Sequence, residues 1–462
     1  MMKRFGLKFD GEGGALDLLR IAAPLIVSYA CDTIMLFTDR LFLSRLGGAH
    51  MSAAMTGGLS AFMFTTFFVG LIGYTTAMVA QRLGAGKKEL CGVITTQGGI
   101  VALAAFPLLL LLIPVGKKLF TTFGIDDEQL ALQSRYFGLL MLGSALPLLR
   151  STLANFFSGI GRTRLVMLAA LVSMLVNVGL NYVLIFGKLG MPKLGISGAA
   201  YGTIIASAIG VLVLALSYFN RTNREEFHVV KGLRLHRRFM GELWRLGTPS
   251  GIELFLNLLA FTLMITIFHG QGIVVASAIT ITFNWDMVAF IPLLGINVGV
   301  TTLVGRYVGK QDLSIAHRSM KSGLVLACTY VLGLMVLFAL VPEPLVVLFR
   351  PAETGDYWSQ IQPLAVQMVR LISIYLLADA LTIVFSGALR GAGDTFWTMI
   401  LSVGIHWVLT GAAYVGFHIM DLGPLSTWIA VIVLFCLMAS VYTVRYYKGN
   451  WREKALLLVR ES

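Results

Sequence analysis

One residue pattern occurs twice in this chain, with its two copies 225 positions apart. The matched pairs are Arg20/Arg245, Pro24/Pro249, Gly47/Gly272, Ser52/Ser277, Ala53/Ala278, Gly70/Gly295, Thr76/Thr301, Val79/Val304 and Gly84/Gly309. A constant offset over the 65 residues from Arg20 to Gly84 indicates two copies of one structural unit. In a membrane chain, duplicated halves imply a site between two rigid lobes that can be exposed alternately. The repeat therefore points to transport.

The chain is too apolar for a soluble domain. Of its 462 residues, 57% are hydrophobic and only 13% are charged, whereas soluble domains carry about 25% charged residues. A helix needs ~20 mostly apolar residues to cross the hydrocarbon core. Twelve stretches meet this need: 16–44, 52–80, 93–115, 130–155, 164–187, 195–219, 244–268, 274–305, 318–341, 363–388, 396–418 and 424–446. They lack the period-two alternation of barrel strands, so we expect helices.

The predicted fold is an all-α integral membrane protein with twelve transmembrane helices. They should form two six-helix bundles related by a pseudo-two-fold axis along the membrane normal, because six is an even number and both halves then run in the same direction. The predicted domains are an N-lobe at 1–219, a polar cytoplasmic linker at 220–243 and a C-lobe with a cytoplasmic tail at 244–462. The repeat also continues into later spans, where Phe-Ser-Gly at 157–159 matches Phe-Ser-Gly at 385–387.

The net charge of +13 is distributed as a topology signal. With the N-terminus in the cytoplasm, 24 of the 36 Lys and Arg residues lie on the inner side and six lie in outer loops. This positive-inside bias predicts a multi-pass protein with both termini in the cytoplasm, and we expect it in the bacterial inner (plasma) membrane. The basic residues then serve topology and contacts with membrane lipid. They do not indicate a nucleic-acid partner, because no soluble face gathers them.

Enzyme chemistry is not expected. The sequence contains no P-loop, HExxH or GxSxG motif, so ATP-driven pumping by this chain and a hydrolytic active site are both disfavoured. The four cysteines, at positions 31, 91, 328 and 436, are far apart and form no CxxC pair, which argues against a zinc site. We therefore expect no cofactor, and we expect the energy to come from a transported Na⁺ or H⁺.

Charged side chains inside a membrane are costly and usually functional. Five carboxylates in the apolar stretches are candidates: Asp32 and Asp39 in the first, Glu253 in the seventh, Asp286 in the eighth and Asp379 in the tenth. An ion pair with Arg40 is the structural alternative for Asp39, but residues i and i+1 do not face each other on a helix. Solvation at the cytoplasmic end of its span is the alternative for Glu253.

Uncharged polar residues supply a second group of candidates. Amide oxygens suit hard cations, so cation binding and interhelix hydrogen bonding are both open for Asn155, Asn177, Asn181, Asn257 and Asn297. Asn284 belongs to an Asn-Trp-Asp cluster that ends at Asp286. We predict that Arg150 and Arg370 lie near span ends and snorkel. His406 is predicted to be a hydrogen-bonded packing residue, with a proton relay as the alternative.

Four segments are distinctive enough to indicate a family. They are APLIVSYACDTIMLFTDRLFLSRLGG at 23–48, VAQRLGAGKK at 79–88, NVGLNYVLIFGKLGMPKLGISGAAYGT at 177–203 and DALTIVFSGALRGAGDT at 379–395. With these segments the chain resembles the multidrug and toxic compound extrusion (MATE) family, specifically its NorM-like branch. The resemblance covers essentially all twelve spans. It implies a two-lobed, monomeric exporter of small-molecule organic cations that is driven by Na⁺ or H⁺.

The resemblance also implies roles for single residues. The residues that it connects with cation coupling are Asp39, Asn177, Asn181, Thr203, Asp379 and, by substitution, Glu253. The NorM-like branch has Glu in helix 7 eight residues after the proline, where this chain has Asn257. Glu253 lies one helical turn earlier on nearly the same face, and we predict that it replaces that Glu. A bound Na⁺ at Asp39 or Asp379 is the one metal site considered.

Substrate contacts are predicted from the acidic and polar groups of the expected cleft. These residues are Asp379, Asp286, Asn257, Asn284 and Asp32. The resulting hypothesis is a secondary active multidrug exporter that works by cation-coupled antiport and alternating access. The main alternative is a flippase for a lipid-linked precursor or polysaccharide, which would need several buried Arg or Lys residues for its anionic head group. A membrane-embedded enzyme and a channel are the remaining alternatives.

Overall fold

The computed structural model describes residues 10–122, 126–350 and 357–460. Every regular element in these ranges is a helix. The helices are α1 (Ala15–Ser44), α2 (Gly48–Gly73), α3 (Thr75–Gly84), α4 (Lys88–Leu111), α5 (Ile113–Thr121), α6 (Asp127–Leu142), α7 (Ala145–Gly159), α8 (Thr163–Phe186), α9 (Ile196–Tyr218), α10 (Arg221–Glu226), α11 (Arg237–His269), α12 (Ile273–Gly309), α13 (Leu313–Leu340), α14 (Pro342–Val347), α15 (Trp358–Gly391), α16 (Thr395–His418), α17 (Pro424–Lys448) and α18 (Trp451–Arg460).

The lengths of these helices confirm the prediction of an all-α membrane protein. In the described ranges, eleven segments are long and apolar enough to cross a membrane, with α2 and α3 taken together. The pair α6 and α7 makes a twelfth span if the 46° bend between them is a break within one crossing. The predicted cytoplasmic position of the termini concerns residues 1–9 and 461–462, which lie outside the described ranges.

Spans that are interrupted in the first half are continuous in the second. Tyr74 separates α2 from α3, whereas the repeat-related α12 runs unbroken for 37 residues. Gly143 and Ser144 separate α6 from α7, whereas α15, which carries the matching Phe-Ser-Gly, is a single helix of 34 residues. The sequence repeat is therefore not a repeat of identical helices.

The chain forms two compact units. The N-unit is Ala23–Ile252, and the C-unit is Glu253–Ser462 together with the chain up to Ala22. Both divisions fall inside helices, α1 and α11, within four residues of the matched prolines Pro24 and Pro249. The units differ at their edges from the boundaries 1–219, 220–243 and 244–462, because those boundaries followed the polar linker whereas the units follow packing.

Contacts within each unit explain these edges. In the C-unit, Ser322 donates a 2.8 Å hydrogen bond to the carbonyl of Gly13, and a Cβ atom at Gly299 would lie 2.8 Å from the Leu18 side chain. In the N-unit, a Cβ atom at Gly70 would lie 2.6 Å from the carbonyl oxygen of Ser250. Glycine at position 70 therefore lets the start of α11 pack directly against α2.

The polar linker is docked onto the N-unit. The buried ring of Phe227 packs edge-on against Phe156, with ring centroids 5.4 Å apart. The amide group of Gln97 accepts from the His236 N–H at 3.0 Å and donates to the Arg234 carbonyl at 3.0 Å. These contacts make the linker part of the fold of the N-unit and not a loose connector.

Ion pairs fix both ends of the linker. Arg82, which is almost fully buried, donates to both carboxylate oxygens of Glu242 at 2.9 and 2.7 Å. Glu226 accepts from Lys88 at 2.9 Å and from Arg162 at 2.9 Å. Its hydrogen bond with Lys88 is the main cause that lowers the pKa of Glu226 below its usual value, so this carboxylate stays ionised at neutral pH.

Candidate functional site

The first candidate site surrounds Asp39 on α1 in the N-unit. Asp39 is 5% exposed, and its two carboxylate oxygens have different donors. Asn181 donates through Nδ2 to Oδ1, and Thr203 donates through Oγ1 to Oδ2 at 3.2 Å. Asn177 completes the cluster, because it donates to Thr203 at 3.3 Å and accepts from Asn181 at 3.2 Å. The structure thus brings together four residues that are separated by up to 164 positions in the sequence.

Local helix geometry explains this convergence. Asn177 and Asn181 are four residues apart on α8 and therefore lie on one face. Thr203 lies on α9, which packs along α8. A Cβ atom at Gly202 would lie 2.0 Å from Oδ1 of Asn181. Glycine at 202 is therefore what permits α9 to approach the amide so closely.

The electrostatics of this cluster are those of a lone buried carboxylate. Its hydrogen-bond partners are all neutral, and Arg40 is exposed and makes no ion pair with Asp39 within the described ranges. The Oδ1 atom of Asn181 is buried and lacks a hydrogen-bond partner among the described residues. Carboxylate, amide and hydroxyl oxygens are the ligand types that hard cations prefer. The cluster can therefore accept a proton or a small cation.

Asp32 has a different environment in the same unit. Arg150 on α7 donates from both terminal nitrogens to the two oxygens of Asp32, at 3.0 and 3.1 Å. Arg150 thus pairs with a carboxylate instead of snorkelling to a span end as predicted. Asp32 is not grouped with Asp39 by any contact of the described residues, so its predicted role as a substrate contact stays a prediction.

The second candidate site lies in the C-unit, where α12 and α15 pack closely along each other. Tyr375 on α15 donates a hydrogen bond from its hydroxyl to Asp286 on α12. Asp379 follows Tyr375 by four residues and is 7% exposed. Asp286 lies near enough to interact electrostatically with Asp379. In the part of the chain that the structure describes, no hydrogen bond or ion pair is formed by the Asp379 carboxylate.

Glu253 and Asn257 are not joined to this pair. Glu253, on α11, accepts from Arg390 at 2.7 Å, while its Oε2 atom is buried without a hydrogen-bond partner in the part of the chain that the structure describes. Asn257, one turn later, donates to Ser402 at 2.7 Å, and its Oδ1 atom is likewise buried without a partner in the described ranges. The two unpartnered oxygens are four positions apart on one helix. The proposed replacement of a helix-7 Glu by Glu253 stays a prediction, and its carboxylate is already paired.

Other predicted residues lie apart from these clusters. Asn284 is exposed and donates to the Thr280 carbonyl of its own helix at 2.8 Å. His406 Nδ1 donates to the Ser402 carbonyl at 2.7 Å. Within the described ranges, no group of three or more His, Cys, Asp or Glu residues could hold a metal ion. Any bound cation would therefore rely on one or two carboxylates together with neutral oxygen atoms.

Sequence reasoning missed four site neighbours: Tyr375, Gly202, Arg390 and Ser402. Tyr375 had a usable signal, because it precedes Asp379 by four residues and so shares its helix face. Gly202 directly precedes Thr203, and a small residue beside a polar one is a sign of close helix approach. Arg390 and Ser402 are 137 and 145 positions from their partners, and no periodicity links them.

Comparisons with known proteins bear on the family and the fold of the chain. The model of the MatE family matches residues 24–183 and 249–410. The two matched segments begin at Pro24 and Pro249, the proline pair of the internal repeat. Together they cover most of the chain, and both candidate carboxylate sites draw on them.

Curated relatives match nearly the whole chain. "Probable multidrug resistance protein NorM" of Thermotoga maritima is 28% identical over 448 residues, which are 96% of this chain and 94% of that protein. "Multidrug resistance protein MdtK" of Pectobacterium atrosepticum is 24% identical over 465 residues, which are 97% of this chain and 98% of that protein. The similarity therefore extends over both units.

Solved structures share the fold. A MOP superfamily transporter from Pyrococcus furiosus superposes with a TM-score of 0.86 at 18% identity and covers 98% of both chains. A multidrug resistance MATE family transporter of the MOP superfamily in an outward-facing conformation gives a TM-score of 0.85 at 19% identity, again over 98% of both chains. At these identities the likeness is one of fold.

Proposed function

The chain belongs to the MatE family, and on that premise we propose that it is a multidrug efflux transporter that exports amphipathic organic cations in exchange for Na⁺ or H⁺. Membership of this family is what the NorM-like sequence segments predicted. The coupling ion, the organic cation and alternating access are the parts of the proposal that go beyond family membership. No resident cofactor is needed in this scheme, and the working form is a monomer in a bacterial inner membrane.

The observation that carries the proposal is the environment of Asp39. Its carboxylate is buried, receives hydrogen bonds from Asn181 and Thr203, and has no cationic partner in the described residues. A buried charge without a counter-ion is costly, so a proton or Na⁺ would stabilise this site strongly. These properties support a role for Asp39 in ion coupling.

The C-unit supports the organic-cation half of the proposal. Asp379 is buried without a hydrogen bond or ion pair in the described residues, and Asp286 adds a second carboxylate nearby. An organic cation would offset the repulsion between these two carboxylates, and a small ion would neutralise the single charge of Asp39. When binding of one cation weakens binding of the other, the inward movement of the ion can drive release of the drug.

Conformational exchange would then convert ion binding into export. A ligand shifts an equilibrium between two states only by its differential affinity for them. We propose that the ion favours the state from which the drug leaves, and that the drug favours the state that takes it up from the cytoplasm. Each state exposes the carboxylates to one side of the membrane.

Proteoliposomes provide the test. The purified protein is reconstituted, and accumulation of the monocation tetraphenylphosphonium is followed under an imposed Na⁺ gradient at equal pH, and separately under a pH gradient without Na⁺. We expect uphill accumulation with one of the two gradients, and its collapse when an ionophore dissipates that gradient. Translocation of a fluorescent lipid head group is measured in parallel. Lipid movement without any ion-dependent movement of the cation would replace the proposal with the flippase alternative.

A further inference from the structure

The Asp32–Arg150 pair lies deep inside membrane-spanning helices. Asp32 is 12 residues before the end of α1, which at 1.5 Å per residue places it ~18 Å from the nearer helix end. Arg150 lies on α7, five residues after its start at Ala145 and nine before its end at Gly159, which is inside a span where α6 and α7 form one bent crossing. Two parallel hydrogen bonds of 3.0 and 3.1 Å join the guanidinium to the carboxylate. This forked geometry is the strongest that an Arg–carboxylate pair can adopt.

The pair is accessible although it is deep. The side chains of Arg150 and Asp32 are 27% and 37% exposed, whereas Asp39 is 5% exposed. Charged groups at this depth almost always face a protein interior or a water-filled cavity and not lipid. A molecule that reaches such a cavity would therefore meet the edge of this ion pair.

The internal repeat indicates that the fold does not require an ion pair here. The offset of 225 relates Asp32 to Asn257, because 257 − 32 = 225. In the C-unit, Asn257 makes a neutral 2.7 Å hydrogen bond to Ser402. The same position of the repeat is thus stabilised without charge in one unit and with a full ion pair in the other.

Packing holds Arg150 in place beside Asp32. A Cβ atom at Gly210 would lie 3.2 Å from Cδ of Arg150, so the arginine stem runs across the surface of α9 where that helix has no side chain. Tyr29, one turn before Asp32, is near enough to interact electrostatically with both members of the pair. The guanidinium is therefore a positioned cation, held where an external cation would otherwise bind.

We propose that Arg150 is a built-in counter-cation, that an organic cation entering the N-unit competes with its guanidinium for Asp32, and that Arg150 thereby makes the transporter prefer monocations to dications. This inference rests on the proposed function. With Arg150 paired, Asp39 is the one carboxylate without an ion pair in the described apolar stretches of the N-unit, so these stretches offer an incoming cation a single uncompensated charge. Without that arginine charge they offer two, and a substrate with two positive charges gains most.

The test compares two substrates in the same proteoliposomes. Efflux kinetics are measured for tetraphenylphosphonium and for an alkane-bridged bis-triphenylphosphonium, and the readout is the ratio of their kcat/KM values. We expect Arg150→Gln to raise the dication-to-monocation ratio about tenfold, which corresponds to ~1.4 kcal/mol. Arg150→Lys, which keeps the charge, should stay near the wild-type ratio. Asp32→Asn should lower the ratio, because it leaves the arginine charge unbalanced.

The double variant separates charge from structural damage. Asp32→Asn combined with Arg150→Gln restores a neutral pair, so its ratio should return to the wild-type value. Arg370→Gln is the matched control, because Arg370 is exposed on α15 and forms no ion pair in the described ranges. Its ratio should not change.

Each outcome decides the inference. An unchanged ratio in Arg150→Gln, or an equal change in Arg150→Lys, would overturn it and leave the pair as a structural brace. If the Arg150→Gln protein cannot be produced in folded form, Asp32→Asn decides alone, and an unchanged ratio in that variant overturns the inference. Failure of the proposed function looks different, because the wild-type protein would then move neither cation in an ion-dependent way.

Discussion

The two units surround their carboxylates in opposite ways. In the N-unit, Asp39 has a complete set of neutral partners, and both of its oxygens accept hydrogen bonds from α8 and α9. In the C-unit, Asp286 and Asp379 lie near each other, and Tyr375 donates to only one of them. At the first site, neutral hydrogen-bond donors surround a single charge. At the second, two like charges lie near each other with fewer hydrogen-bond donors.

This difference suggests a division of labour. A carboxylate surrounded by amide and hydroxyl groups fits a proton or a small ion, because small hard cations are bound by oxygen ligands of these kinds. Two neighbouring carboxylates, of which Asp379 forms no hydrogen bond within the described ranges, fit a larger cation that supplies its own apolar contacts. We therefore expect substitutions of Asp39 and its hydrogen-bond partners to impair all substrates alike, and substitutions of Asp286 and Asp379 to discriminate between substrates.

The largest effect is expected at Asp39. In Asp39→Asn the coupling charge is lost, and with it two hydrogen bonds to a charged group, each of which contributes about 1.5–3 kcal/mol. Gradient-driven efflux should fall at least ~30-fold for every cation tested. Efflux is measured in proteoliposomes after the amount of reconstituted protein has been matched to wild type. Normal uphill export by this variant would remove Asp39 from the mechanism.

Asp379→Asn should produce a smaller and uneven loss. A hydrogen bond or contact with a charged group contributes about 1.5–3 kcal/mol, so the most affected substrate should lose ~10- to 100-fold in kcat/KM. Other substrates should lose less, because they reach Asp286 or bind through apolar contacts. A panel of cations of different size provides the measurement. A uniform loss across the panel would contradict the division of labour between the units.

Gly202→Ala tests the hydrogen bonds around Asp39 without changing any charge. The added Cβ atom would lie 2.0 Å from Oδ1 of Asn181, and overpacking of this kind costs about 1–3 kcal/mol. We expect efflux of all substrates to fall about fivefold or more, because Asn181 must move away from Asp39. Gly179→Ala on α8 is the matched control, since no atom lies within 4 Å of its added Cβ. Equal activity of the two variants would show that the position of Asn181 is unimportant.

Tyr375→Phe should have the smallest effect and should be confined to the C-unit. It removes one hydrogen bond to Asp286 but keeps both carboxylates, so transport should lose only part of the about 1.5–3 kcal/mol that a hydrogen bond to a charged group contributes. Efflux of the substrates that depend on Asp379 should change ~2- to 10-fold, while the dependence on the ion gradient stays that of wild type. Tyr182→Phe on α8, an exposed position, serves as the control. A changed ion dependence in Tyr375→Phe would place coupling in the C-unit as well.

Much of the candidate site could be predicted because burial of a charge in an apolar stretch is visible in the sequence. Asp39, Asp286 and Asp379 stand out against their neighbours, and the i, i+4 spacing of Asn177 and Asn181 places both on one face of α8. Pairing could not be predicted in the same way. Asp32 and Glu253 look like Asp39 in the sequence, yet each is neutralised by an arginine 118 or 137 positions away.

By itself, the sequence determined the class of protein and its duplication. Apolar runs of membrane-spanning length force the backbone to satisfy its hydrogen bonds within helices, and a constant offset of 225 can be read without coordinates. Only the tertiary structure decided which carboxylates remain without an ion pair and how the linker docks through Arg82 and Glu242. It also decided where the boundary between the two units falls within α1 and within α11. These features depend on contacts between residues distant in the chain, and such contacts leave no periodic trace in the sequence.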